Sequence, residues 1–214
     1  MIKAVLFDLD GTFADTAPDL SYALNVMRGD RKLPPVPLEA TRPVTSRGAR
    51  GLLGVGFGLA PDDADYLPMR TEFLDIYEQN LCRDTTLFPG IDELVETLES
   101  RGIAWGIVTN KAERFAMPLM KLLRLDGRCA CIVGGDTTAR MKPHPDPLLA
   151  AAGLLDVAPS ACIYVGDDRR DIDAGRAAGM RTIAVNYGYL DGGDPHAWDA
   201  DAVVDCPQDV LRHL

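Results

Sequence analysis

The chain has 214 residues, 47% hydrophobic and 25% charged, which supplies ample material for a packed core and excludes wholesale disorder. Its 22 Lys and Arg against 32 Asp and Glu leave a net charge of −10, which sets it against nucleic acid and anionic membranes as partners. A small anionic ligand is compatible with that field only where a local cation or basic cluster overcomes it.

The first element is KAVLFD (3–8), a continuous apolar run that reads as a buried strand and ends on Asp8, Asp10, Gly11 and Thr12. From Thr16 to Thr86 only helical patterns follow. DLSYALNVM (19–27) comes after Pro18, a residue suited to a first helical turn, and MRTEFLDIYEQNL (69–81) sets Phe73, Ile76, Tyr77 and Leu81 close to one face. LPPVP (33–37) and the glycine-rich GLLGVGFGLAP (51–61) are expected to break this segment into pieces. In GIDELVETLESRG, Ile91, Leu94, Val95 and Leu98 form one stripe, and Gly102 stands where that helix should stop. The strands IAWGIVT (103–109), ACIVG (130–134), ACIYVG (161–166), RTIAV (181–185) and ADAVVD (200–205) follow. A helix with Ile172, Ala174, Ala177 and Ala178 on its inner face, ending near Gly179, lies between the fourth and fifth strands of the series. Such alternation predicts an α/β fold, a doubly wound parallel sheet of Rossmann-like type, with an all-helical domain inserted after the first strand. The expected division is a core of 1–15 and 87–214 and a helical insert of 16–86.

In open parallel sheets the loops at the carboxyl ends of the strands converge on the site. Those positions hold Asp8, Asp10 and Thr12 after the first strand, and Thr109, Asn110 and Lys111 after the second. Lys142 follows the third, and Asp167, Asp168 and Asp171 of GDDRRD follow the fourth. Crowded carboxylates repel one another and call for a hard divalent cation with oxygen ligands, of which Mg²⁺ fits best. With it, the set reads as phosphoryl-transfer chemistry. One carboxylate attacks phosphorus, a second handles protons, and Thr, Lys and backbone N–H groups bind the phosphoryl oxygens. Asp8 and Asp10, two apart on extended chain, can address one substrate.

DLDGT (8–12), Thr109, Lys142 and GDDRRD (166–171) resemble the four motifs of the haloacid dehalogenase superfamily, and the resemblance covers nearly the whole chain. The helical insert resembles that superfamily's cap domain. The resemblance implies that Asp8 is the nucleophile and Asp10 the general acid/base. It implies Mg²⁺ held by Asp8, the main-chain carbonyl of Asp10 and Asp167, with Asp171 as a further ligand or a partner of one. Thr109, Asn110 and Lys142 would bind the phosphoryl group. Asp168 stands where the family often has Ser or Thr, and Phe13–Ala14 replaces its common Leu-x. The dehalogenases lack an aspartate at the position of Asp10, so the resemblance favours a phosphatase over a dehalogenase.

WGIVTNK (105–111), KPHPDP (142–147) and AGMRTIAVNYGY (178–189) resemble phosphoglycolate phosphatases. TSRGARGLL (45–53), RFA (114–116) and VGDDRRDI (165–172) look more narrowly like the bacterial branch acting on N-acetylmuramic acid 6-phosphate. The substrate is then a small phosphorylated metabolite, and Arg47, Gly48 and Arg50 of the cap are the candidates for contacting it, because a carboxylate suits an arginine fork. A phosphomutase shares all four motifs and is an alternative. A phospho-accepting receiver domain, also rich in acids with a Thr and a Lys, is typically shorter and has no insert.

Five cysteines without a C-x-x-C pair (Cys82, Cys129, Cys131, Cys162 and Cys206) fit free thiols of a reducing compartment. No apolar run approaches the ~18–20 residues of a membrane span, and none at the N-terminus suits a secretory signal. A cytoplasmic protein, monomeric or homodimeric, is expected.

Overall fold

A computed structural model describes all 214 residues. The chain runs from β1 (Ala4–Phe7) through a short β2 (Ala14–Asp15) into four helices, α1 (Ala17–Asp30), α2 (Leu38–Thr41), α3 (Gly48–Phe57) and α4 (Tyr66–Gln79). It returns through β3 (Thr86–Leu87) and then alternates: α5 (Ile91–Ser100), β4 (Ala104–Val108), α6 (Glu113–Leu122), β5 (Ile132–Val133) and α7 (Asp146–Leu154). The remainder is β6 (Cys162–Gly166), α8 (Arg169–Ala177), β7 (Arg181–Val185) and β8 (Ala202–Val204). No helix is long and apolar enough to cross a membrane.

Six strands form one parallel sheet in the order β5–β4–β1–β6–β7–β8. The chain winds outward from β1 to β5, then crosses back and winds outward on the other side from β6. That reversal opens a crevice at the carboxyl end of β1. All four residues of β1 are buried because both faces of the sheet are covered. Val5 and Phe7 join one cluster with Ile91, Leu94, Val95 and Leu98, the stripe read on α5. Ala4 and Leu6 join the opposite cluster with Leu148, Tyr164 and Ala174. Phe13 lies fully buried in the first cluster and stacks on Trp105, ring centroids 5.4 Å apart. On α8, Ile172 and Ala174 are buried, as is Ala178 just past its end, but Ala177 faces solvent and Gly175 takes its place on the inner face.

The helices α1, α3 and α4 pack around their own cluster of Leu20, Leu24, Met27, Leu52, Phe73 and Tyr77, which Phe115 at the start of α6 joins. The glycine-rich stretch expected to break this segment is instead mostly helix α3. Gly56 explains why: a Cβ there would lie 2.5 Å from Leu24 Cδ1, so its absence lets α3 lie against α1. Burial of Leu52 and Leu53 offsets the poor helix propensity of the glycines.

A two-residue antiparallel ribbon flanks the helices, with Ala14 opposite Leu87 and Asp15 opposite Thr86. Two residues are too few for a periodic signal, and sequence reading missed it. The ribbon sets the chain's exit and return side by side. Asp19, fully buried on α1, fastens the return by accepting bonds from the main-chain N–H groups of Arg83, Asp84 and Thr85 at 3.1, 2.7 and 3.2 Å.

Candidate active site

β1, β4 and β6 end side by side, and the residues that follow them meet. The carboxylates of Asp8, Asp167 and Asp171 bring oxygens within 4.8 Å of one another, all buried. The turn after β1 allows this because Gly11 has φ +90° and no side chain. A Cβ there would fall 2.3 Å from Asp167 Oδ2 and 2.8 Å from Tyr189 Cδ2.

Lys142 reaches this cluster from the loop before α7. Its buried ammonium donates to Asp8 Oδ1 at 2.8 Å, Asp171 Oδ1 at 2.7 Å and the Tyr164 hydroxyl oxygen at 2.7 Å. Burial alone would lower the lysine's pKa, but the charges of Asp171 and Asp8 outweigh it and the net shift is upward. Tyr164, which reads in sequence as one more core residue of β6, donates its own hydroxyl hydrogen bond to the Val108 carbonyl at 2.6 Å. Asn110, expected among the phosphoryl-binding groups, has its side-chain amide occupied otherwise. It accepts from Lys142 N and donates to Lys142 O, both at 3.0 Å, and so fixes the main chain of the lysine. Thr109 is buried at the end of β4, and its hydroxyl oxygen accepts from Lys111 N at 3.2 Å, leaving its proton to donate.

No lysine touches Asp167. It accepts from Thr12 Oγ1 and Tyr189 N, both at 2.9 Å, and from Ser46 Oγ at 3.4 Å. Burial, then the charges of Asp8 and Asp171, push its carboxyl far above the ordinary range. Asp171 is likewise raised by burial, to about 7, against the pull of Lys142. Three buried carboxylates, only two of them bonded to the one ammonium, form a hard-oxygen donor set with a deficit of positive charge, which suits a divalent cation.

Asp10 points elsewhere. Both its oxygens accept from Lys111 Nζ, at 2.7 and 2.9 Å, and Thr16 donates to Oδ1. Asp168, whose place in the motif is unusual, caps α8. It accepts from Arg170 N at 2.8 Å, while Asp171 Oδ2 accepts from Asp168 N at 3.1 Å. The Arg170 guanidinium forks onto Asp168 and also donates to Ser46 O at 2.8 Å, tying α8 to the helical segment. Burial works to raise the Asp168 carboxyl, but Arg170 wins and holds it below the ordinary range.

A cavity of about 610 Å³ runs from Asp8 and Lys142 to the helices. Its acids, Asp8, Asp10, Asp136, Asp168 and Asp171, all lie outside 16–86. The helical wall contributes Arg47, Arg50 and Arg70 and no acid, between Leu20, Phe73 and Leu74. Arg47 is half exposed and its Nε donates to Asp191 Oδ2 at 2.6 Å, while Gly48 sits beside it at φ +59°. Arg70 went unnoticed in the sequence, as did Tyr164 and Arg170 as site residues; Lys111 stands at the site edge there without a role.

The model of the haloacid dehalogenase-like hydrolase family matches residues 5–185. An N-acetylmuramic acid 6-phosphate phosphatase of Pseudomonas aeruginosa is 44% identical over 214 residues, spanning 100% of this chain and 95% of its own. A phosphoglycolate phosphatase of Xanthomonas campestris is 47% identical over 206 residues, spanning 96% of this chain and 93% of its own. Among solved structures, a predicted phosphoglycolate phosphatase from Haemophilus somnus superposes with a TM-score of 0.87 at 26% identity, covering 99% of this chain and 97% of that one. Matched over this much of its length, the chain belongs to the haloacid dehalogenase-like hydrolases, and to the phosphatases among them.

Proposed function

We propose that the protein is a Mg²⁺-dependent phosphomonoesterase that forms an aspartyl-phosphate on Asp8. Residues 1–15 and 87–214 act as the catalytic core and 16–86 as the cap. Asp8, the main-chain carbonyl of Asp10 and Asp167 would hold the metal, with Asp171 as a further ligand or neighbour. The metal's chemistry there is to neutralise the carboxylates and polarise a phosphoryl oxygen. Asp8 attacks phosphorus, and Lys142 orients it. Thr109 donates to a phosphoryl oxygen, and Asn110 sets the lysine's backbone. Asp10 would give its carboxyl proton to the departing alkoxide and, as the carboxylate so formed, take a proton from the water that hydrolyses the aspartyl-phosphate, which restores the acid.

The carrying observation is the polarised cavity, whose core end suits a phosphoryl group and whose cap end is apolar and cationic. A two-carbon ester would leave most of about 610 Å³ unfilled, whereas a phosphorylated sugar acid uses both ends. This supports N-acetylmuramic acid 6-phosphate over phosphoglycolate, the two substrates named for the relatives. Arg50 and Arg70, with no acid partner in the structure, would receive its carboxylate, and Arg47 would do so on leaving Asp191. The test is phosphate release from both compounds and from N-acetylglucosamine 6-phosphate, which lacks the carboxylate-bearing ether. The reading expects the largest kcat/KM on the first, falling at least tenfold without the carboxylate. A higher kcat/KM on phosphoglycolate would reverse the substrate assignment, and phosphoryl transfer without accumulation of free phosphate would favour a mutase.

A further inference from the structure

Asp8 and Asp10 are each met by a lysine, Lys142 for Asp8 and Lys111 for Asp10. Lys111 is buried, with 7% of its side chain exposed, and its ammonium spans both oxygens of Asp10. Thr16 donates to the same carboxylate from the start of the cap linker. The side chain of Lys111 passes between core and cap, where the ring of Tyr77 on α4 lies 4.9 Å from the ammonium. Phe115 backs that ring, centroids 5.6 Å apart. Tyr77 is 1% exposed, and its hydroxyl is the one buried side-chain polar atom in the chain without a hydrogen-bond partner. Tyr77 meets the site through Lys111, its ring set against the ammonium in an arrangement that favours a desolvated cation.

We infer that Lys111 is the positioning residue of Asp10, and that Tyr77 is the cap's means of keeping Lys111 on it. Asp10 follows the last ladder residues of β1 and has freedom about its side-chain torsions. Two N–H bonds from one ammonium fix that carboxylate away from the Asp8–Asp167–Asp171 cluster and toward the cavity. Since Tyr77 belongs to α4, the helical segment completes the setting of the lysine that holds Asp10. The inference rests on the reading of Asp10 as the acid that protonates the leaving group.

The experiment uses the full chain with saturating Mg²⁺ and two kinds of ester. One is p-nitrophenyl phosphate, whose leaving group needs no proton. The other is whichever of N-acetylmuramic acid 6-phosphate and phosphoglycolate turns over faster. Lys111→Met should lower kcat on the alkyl ester about 100-fold and on the aryl ester less than about tenfold, with KM little changed. In the Asp10→Asn background, Lys111→Met should cost almost nothing more on the alkyl ester. Tyr77→Leu, which leaves the lysine and carboxylate in place and keeps the test available should Lys111→Met fail to fold, should lower kcat about fivefold or more with the same leaving-group bias. Tyr77→Phe should restore most of that loss. Equal losses on both esters for Lys111→Met, or full additivity with Asp10→Asn, would overturn the inference while leaving Asp10 its role. A leaving-group-blind Asp10→Asn would overturn both.

Discussion

Replacing Gly11 by alanine tests whether the turn after β1 exists to seat Asp167. The new methyl would start 2.3 Å from Asp167 Oδ2 and 2.8 Å from Tyr189 Cδ2, where real contacts essentially never fall below 3.0 Å. The carboxylate must therefore retreat by about 0.7 Å in a buried site packed to crystal-like density. It cannot swing freely, because Thr12 and Tyr189 N hold both its oxygens at 2.9 Å. Alanine at φ +90° adds backbone strain of roughly 1–3 kcal/mol. Dislodging a ligand or its support costs about 10–100-fold in metal affinity, so the Mg²⁺ concentration giving half-maximal activity should rise by that factor. The thermal midpoint in EDTA should fall only by the strain, a few degrees for a chain of this size. The assay is a Mg²⁺ titration of phosphate release beside melting curves with and without Mg²⁺. A variant with wild-type Mg²⁺ dependence and a lowered melting point would show that Gly11 serves the backbone alone, and the argument from Asp167 would fail.

Asp19→Ala strips the acceptor from three main-chain N–H groups at the cap's return linker and should cost about 3–5 kcal/mol in urea unfolding. A loss under about 1 kcal/mol would mean that water replaces those bonds. Lys142→Met removes the ammonium from Asp8 and Asp171 and should lower kcat by about 10²–10³ at saturating Mg²⁺. A loss below tenfold would refute its role. The pH dependence of the metal-free protein follows from Asp167 and Asp171, whose carboxyls are both raised on folding, the latter to about 7. An acid raised in the folded state binds more protons there than when unfolded, so its stabilising contribution is whole below the unfolded value near 4 and is lost as pH rises toward 7. Melting temperature in EDTA should accordingly fall across that window, and the increment produced by Mg²⁺ should grow. An increment flat from pH 5 to 8 would contradict the linkage.

What could be read from the sequence was what repeats or ends. Strands covered on both faces announce themselves as unbroken apolar runs, and the polar residues just beyond them, Asp8, Asp10, Thr109, Asp167 and Asp171, then fall at one sheet edge by topology alone. What depends on register or distant partners could not be read. Tyr164 looks like core in ACIYVG, and only the alignment of β6 with the end of β4 brings its hydroxyl to Lys142 and the Val108 carbonyl. Arg47 looked free to bind a substrate, but its acid, Asp191, lies on a loop 144 residues further on. Composition misled at α3, where glycine meant close helix packing, and Asp168 became intelligible only with Arg170 forked onto it.

The distribution of charge at the site also explains how an acidic chain can accept a phosphate. Lys111 satisfies Asp10, and Lys142 is divided between Asp8 and Asp171, so no lysine remains for Asp167. Hydrogen bonds from Thr12 and Tyr189 stabilise that carboxylate without neutralising it, and burial, then the like charges of Asp8 and Asp171, raise its pKa well above the ordinary value. Without a divalent cation, the cluster of Asp8, Asp167 and Asp171 with one ammonium repels a phosphate dianion, in line with the net −10 outside. Once the cluster's charge is balanced, the Thr109 hydroxyl has its proton to donate beside the positive charge of Lys142, and Arg47, Arg50 and Arg70 carry the same sign on the cap wall of the cavity. On the proposed reading, discrimination against other anions would follow from geometry, because a ligand with anionic groups at both ends of the cavity would meet cations at both.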